Sequence, residues 1–93
     1  MESITRNEKI LYVGIDVHKD TYSLCCFDFF RNELSDETTI KATTKAVIKY
    51  LEAIKKKHKE EILFACGYEA GPTGYGLCRG LQKAGYGCVV MAP

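Results

Sequence analysis

The 93-residue sequence lacks any strong excess of charge: 13 lysines and arginines are set against 12 aspartates and glutamates, for a net charge of +1. That balance excludes a global field drawing the chain to nucleic acid or to an anionic membrane, so any such contact must come from a local patch. There is no apolar run long enough to span a bilayer, and the polar opening MESITRNEK has no apolar segment of the kind a secretion signal carries. No CxxC pair occurs among the five cysteines, Cys25, Cys26, Cys66, Cys78 and Cys88. An odd count without that spacing argues against a disulfide framework or a cysteine zinc site and for reduced, buried thiols in a cytoplasmic protein. Internal repeats, low-complexity segments and linkers are missing as well.

What is present fits one small domain with one core: 46% of the residues are hydrophobic and 27% charged. The organising stretch is Lys9 to Phe29, KILYVGIDVHKDTYSLCCFDF. Ile10, Leu11, Tyr12, Val13 and Ile15 form a nearly continuous apolar run, which predicts a strand covered on both faces. Residues 1–8 read as a loose lead-in. The first strand runs to about Val17, His18 to Asp20 turn the chain, and Thr21 to Phe29 make a second strand rich in β-branched, aromatic and cysteine residues. Arg31 and Asn32 read as a hairpin turn. Glu33 to Lys41 is a third, polar strand suited to an exposed edge.

The period then changes. Ala46, Val47, Tyr50, Leu51 and Ile54 recur at three- and four-residue steps and predict a helix to about Lys57, capped by Thr43 or Thr44. Lys55, Lys56, Lys57, His58 and Lys59 crowd its C-terminal end, where cations favour the helix dipole; they read as a solvated helix end more than as a phosphate contact. Glu61 to Tyr68 is a fourth strand that ends in Glu69. Gly71, Pro72, Thr73 and Gly74 break the chain before a second helix beginning near Thr73 or Gly74, with Leu77, Cys78, Leu81 and Ala84 on one face and Gly85 as its stop. Tyr86 to Met91 is a fifth strand. The order is β-β-β-α-β-α-β, with the three apolar strands (first, fourth and fifth) central and parallel and a right-handed crossover between the last two. This order resembles the mixed α/β sheet of an RNase H-like core, strand order 3-2-1-4-5.

Asp16 lies near the end of the first strand and Glu69 at the C-terminal end of the fourth. If those strands are parallel neighbours, both carboxylates emerge at the sheet edge where α/β proteins place their sites. Two close carboxylates repel, and a divalent cation such as Mg²⁺ resolves the conflict while leaving positions for water or phosphate oxygens. Asp20 reads as a turn former, Asp28 as a strand-end residue and His18 as a turn residue rather than a ligand. The GPTGYG run from Gly71 to Gly76 lacks the Lys-Ser/Thr of a phosphate-binding loop and reads as a tight strand-to-helix turn. The aromatic residues of the first, second and fourth strands are expected in the core.

YVGIDVHKDTYSLCCFD, together with YEAGPTGYGLCRGLQKAGYGCVVMAP, resembles the DEDD-type insertion-sequence transposases of the IS one-ten family, related to the Piv DNA invertases. The likeness covers about Lys9 to Pro93, and the two blocks at this separation are more specific than GID alone. The resemblance implies a RuvC-like nuclease domain whose four acidic residues bind metal, with the first Asp at Asp16 and the Glu at Glu69. It implies that residues 1–93 are the N-terminal part of such a domain, truncated after the fifth strand, and that this part is inactive alone. It further implies Mg²⁺ as cofactor and DNA and a bridging non-coding RNA as partners; an incomplete sheet that leaves strand or helix-binding surface exposed favours self-association. Two other classes compete. An actin-like or sugar-kinase ATPase half also opens with an apolar strand and an Asp but places Gly and Thr after it, where this chain has Val17, His18, Lys19 and Asp20. A non-catalytic nucleic-acid or protein-binding module would tolerate changes at Asp16 and Glu69.

Overall fold

The structure, a computed structural model, describes residues 8–58, 61–69, 71 and 74–91. Three strands open the chain: β1 (Glu8–Val17), β2 (Thr21–Asp28) and β3 (Glu33–Lys41). Helix α1 (Thr44–Lys57) leads to β4 (Glu61–Glu69), and helix α2 (Gly76–Lys83) leads to β5 (Gly87–Met91). The sheet order is β3-β2-β1-β4-β5. The first three strands form an antiparallel meander, while β1 with β4 and β4 with β5 are parallel. The strand order expected from the sequence is therefore observed, but β5 is an edge strand paired with β4 and not one of the central strands, which corrects the expectation that all three apolar strands are central.

Local chemistry explains the turns. Between β1 and β2 the His18 amide donates to the Thr21 carbonyl at 3.0 Å. At the β2–β3 hairpin the buried Asp28 carboxylate accepts the amides of Phe30 at 3.0 Å and Arg31 at 3.2 Å, and Lys9 Nζ lies 3.3 Å from it. Asn32 takes the left-handed conformation there (φ 55°), which its short polar side chain tolerates. Further along β3 a bulge interrupts the register between Leu24 and Cys26, at the level where Asp36 (φ 56°) and Glu37 oppose Cys25. The Tyr50 hydroxyl donates to the Asp36 carbonyl at 2.8 Å, and Lys57 pairs with the Asp36 carboxylate, so α1 holds the bulge from behind.

The Thr43 hydroxyl caps α1 by accepting the Ala46 amide at 3.1 Å, and the helix buries Val47, Leu51 and Ile54. Helix α2 begins at Gly76, later than its sequence predicts; Pro72 and Thr73 lie outside the described residues. It ends in a Schellman arrangement: Gly85 (φ 94°) donates to Gln82 O at 3.0 Å and Tyr86 to Leu81 O at 2.9 Å. The two helices approach closely at Gly80, where a Cβ would come 2.7 Å from Thr44 Cγ2.

Both helices lie on one face of the sheet. Leu11, Val13, Ile15, Leu24, Cys26, Phe64, Cys66 and Tyr68 point to that face and form one core with Leu51, Leu77 and Leu81. Each fully buried leucine contributes about 1.5–3 kcal/mol. This corrects the expectation that β1 is covered on both faces. Ile10 and Tyr12 alternate with the core residues and are 41% and 39% exposed, because no described element packs over them. All five cysteines are free, three buried and two half-buried, as expected for thiols used as small hydrophobes. Burial pushes the Cys66 and Cys88 thiols up to about 12.

Candidate active site on the open face of the sheet

Parallel pairing of β1 with β4 sets the site. The last paired residues are Gly14 and Gly67. Two residues further along each strand, on the same outer face, stand Asp16 and Glu69, both exposed. The two carboxylates that the sequence singled out are thus brought to the same end, the same face and the same level of neighbouring strands. Across the antiparallel partners that level continues from Asp16 to Ser23 and from Ser23 to Thr39, whose hydroxyls lie 3.3 Å apart. On the other side Glu69 is paired with Met91.

Together these residues line an open cavity of about 860 Å³ that also takes in Gly14, Gly67, Cys25 and Glu37. Burial, and after it the Glu37 carboxylate, raise the Cys25 thiol above its ordinary value. The bulge at Asp36 accompanies the presence of Glu37 on this wall.

His18 is a turn residue, as read from the sequence, but it is also the nearest partner of the site. Its Nε2 lies 3.2 Å from Asp16 Oδ2. Spacing gave no signal for that contact; it follows from the turn folding back over the strand end. Asp20 is exposed in the same turn and does not line the cavity, and Asp28 faces inward at the opposite end of the sheet. The lysine run stands apart from the site: Lys57 pairs with Asp36, and Lys55 Nζ sits 5.7 Å from the centre of the Tyr86 ring. Lys59 lies outside the described residues.

The aromatic residues divide. Tyr22, Phe64 and Tyr68 are in the core as expected, whereas Tyr12 and Phe27 lie on the open face. There Phe29 packs edge-on to both, with ring centres 4.9 and 5.0 Å away. The outer face is consequently polar at the Asp16 end and apolar at the Tyr12 end.

The donor set at the polar end suits a hard cation. Two carboxylates supply oxygen ligands, and Mg²⁺ is commonly held by one or two carboxylates with waters and substrate phosphates completing its shell. Among the described residues no group of three His, Cys, Asp or Glu side chains gathers in metal-binding geometry.

Comparison with known proteins gives a consistent direction. The chain is 36% identical over 83 residues to the transposase for insertion sequence element IS1533 of Leptospira borgpetersenii. It is also 36% identical over 83 residues to y4qE of Sinorhizobium fredii, described as a candidate transposase. Both relatives are named as transposases. The matches take in 89% and 88% of the chain but only 23% and 20% of those proteins, so the chain spans less than a quarter of the curated relatives it matches. No protein-family profile matches the chain.

Among solved structures, the large terminase nuclease of thermophilic phage G20c, a protein of RNase H-like fold, superposes with a TM-score of 0.62 at 15% identity. That match covers 89% of the chain and 44% of the nuclease. A Bacteroides thetaiotaomicron protein with an actin-like ATPase fold and unknown function gives 0.57 at 22% identity, covering 92% of the chain and 33% of that protein. At these identities the likeness is one of fold. No described helix is long and apolar enough to cross a membrane.

Proposed function

We propose that this chain supplies part of a RuvC-like nuclease site in a DEDD-type transposase of the IS one-ten kind, with Asp16 and Glu69 as two of its four metal-binding carboxylates. The observation that carries the reading is the shared level and face of those two side chains, reached from positions 53 residues apart in sequence on parallel neighbours. Similarity to insertion-sequence transposases supports DNA as the substrate. When bound, Mg²⁺ would activate water and stabilise the leaving oxygen of a phosphodiester. The chain's own contribution is to hold two carboxylates in place, with His18 orienting Asp16 and an open cavity beside them for the strand. With two of four ligands, these residues bind the cation weakly and do not cleave DNA alone. By the same resemblance a bridging RNA is a partner; the open sheet favours further copies of the protein, and the free thiols favour a cytoplasmic setting.

An actin-like ATPase is the second reading, favoured by the Bacteroides neighbour. The residues after Asp16 speak against it, since Val17, His18, Lys19 and Asp20 offer no Gly-Thr wrap for phosphate. Parallel titrations with Mg²⁺ alone and with Mg²⁺–ATP, followed by amide chemical shifts, separate the two. The nuclease reading expects Mg²⁺ alone to move the amides around Asp16 and Glu69, and Asp16→Asn or Glu69→Gln to abolish the response. Shifts that require ATP and survive both substitutions would favour the ATPase.

A further inference from the structure

Gly14 and Gly67 are each other's partners in the β1–β4 ladder, and both form the floor of the cavity below Asp16 and Glu69. A glycine inside a strand costs stability, so it calls for a reason. Backbone conformation gives none: the glycines with positive φ are Gly74 and Gly85, not these two. Packing gives none either. A Cβ on Gly14 would meet nothing within 4 Å, and one on Gly67 would touch Met91 Cε at 3.6 Å and Val89 Cγ2 at 3.7 Å, ordinary contact. Gly80 and Gly87 differ, since a Cβ there would come 2.7 Å from Thr44 Cγ2 and 3.2 Å from the Phe64 carbonyl. A Cβ is crowded at those positions and not at Gly14 and Gly67.

Two adjacent strands therefore keep a strip of bare backbone open to the outside. A strand glycine with no bulge or bend to explain it leaves room for a ligand or another backbone to approach the main chain closely. The walls describe that ligand. Asp16 and Glu69 stand along one side, the Ser23 and Thr39 hydroxyls extend the same row, and Tyr12 and Ala65 form the next, more apolar level. A narrow, extended ligand with alternating anionic and apolar parts fits such a strip.

We propose that the Gly14–Gly67 pair is the seat of one nucleic-acid strand, its sugar lying against bare backbone and its phosphodiester beside Asp16 and Glu69. This rests on the nuclease reading. Because the phosphate meets two carboxylates, binding needs the divalent cation.

The test is an amide-shift titration of the protein with a 12-nucleotide single-stranded DNA in Mg²⁺, on the native chain and on Gly14→Ala, Gly67→Ala, the double variant and Asp16→Asn/Glu69→Gln. Thermal melting is run beside it. The expected result is that both alanine variants melt at or above the native temperature, keep the native Mg²⁺ response and bind DNA at least about tenfold more weakly, a loss of about 1.4 kcal/mol. Native DNA affinity in the glycine variants, or a lowered melting temperature, would overturn the seat. If the carboxylate variant loses DNA binding while the alanine variants keep it, the seat alone fails. If the native chain answers to Mg²⁺ but binds no DNA, the seat is overturned and the nuclease reading stands; if the carboxylate variant binds as the native chain does, the nuclease reading fails and takes the seat with it. Shifts of the cavity amides with Mg²⁺–ATP but not with DNA would overturn the assignment of a strand.

Discussion

The Tyr68 hydroxyl accepts the Cys78 amide at 3.1 Å and donates to the Gly74 carbonyl at 2.8 Å. One buried phenol thus caps the first turn of α2 and pins the loop that follows Glu69. Tyr68→Phe keeps the ring in the core and leaves both backbone groups without that partner. A cost of about 1–3 kcal/mol is expected from such a loss. Urea unfolding of the variant checks it, and an unchanged midpoint would show that the loop and helix end find other partners.

Acid should destabilise the fold through two carboxylates. Burial opposes it, yet the Arg31 amide, Lys9 and the Phe30 amide together hold Asp28 below its ordinary value. The hydrogen bond from Lys57 does the same for Asp36. For a group whose folded value is depressed, the stabilisation is complete above the unfolded value, about 3.9 for aspartate, and is lost as pH falls through the folded value. Melting temperature should therefore fall as pH drops below about 4. Asp36→Asn should flatten part of that fall; an identical pH profile in the variant would show that the Lys57 contact contributes nothing to folding.

The thiols should react in an order set by burial. Cys26 and Cys66 are almost fully enclosed, and burial raises both thiols, Cys66 to about 12. Raised values mean that little thiolate exists at neutral pH, and the thiolate is the reactive form. Mass spectrometry after brief alkylation at pH 7.5 should find label at the half-buried Cys25 before the enclosed Cys26 and before Cys66 and Cys88, whose thiols stand at about 12. Early labelling of Cys66 would contradict the core described here.

Leu51 and Leu81 are fully buried where α1 and α2 meet the sheet. Replacing either with alanine should cost about 2–5 kcal/mol. Against a total stability of about 5–15 kcal/mol, that is enough to lower the melting temperature sharply. A variant melting within a degree or two of the native chain would place the helix elsewhere.

Much of this architecture is legible in the residues. Gly85 as a stop and the three- and four-residue spacing of Val47, Leu51 and Ile54 each have one local cause and stand where the sequence puts them, and of the two cap candidates Thr43 is the one used. The placement of Asp16 and Glu69 at one sheet end was legible too, because parallel neighbours carry their C-terminal ends together. Three features were not. The apolar residues Ile10 and Tyr12 look the same whether covered or open, so one-sided packing of the helices could not be read from the run itself. The bulge at Asp36 is held by contacts with Tyr50 and Lys57 that are distant in sequence. The facing glycines became visible only once the β1–β4 register was known, since each alone is an ordinary strand glycine.

The most direct test of the central claim is an anomalous-scattering map from crystals of the protein soaked in millimolar Mn²⁺. The account predicts a peak shared by Asp16 and Glu69, with a carboxylate oxygen of each in its coordination shell, that disappears in Asp16→Asn and Glu69→Gln. A map with no peak between those side chains, or a peak unchanged by both substitutions, would contradict it.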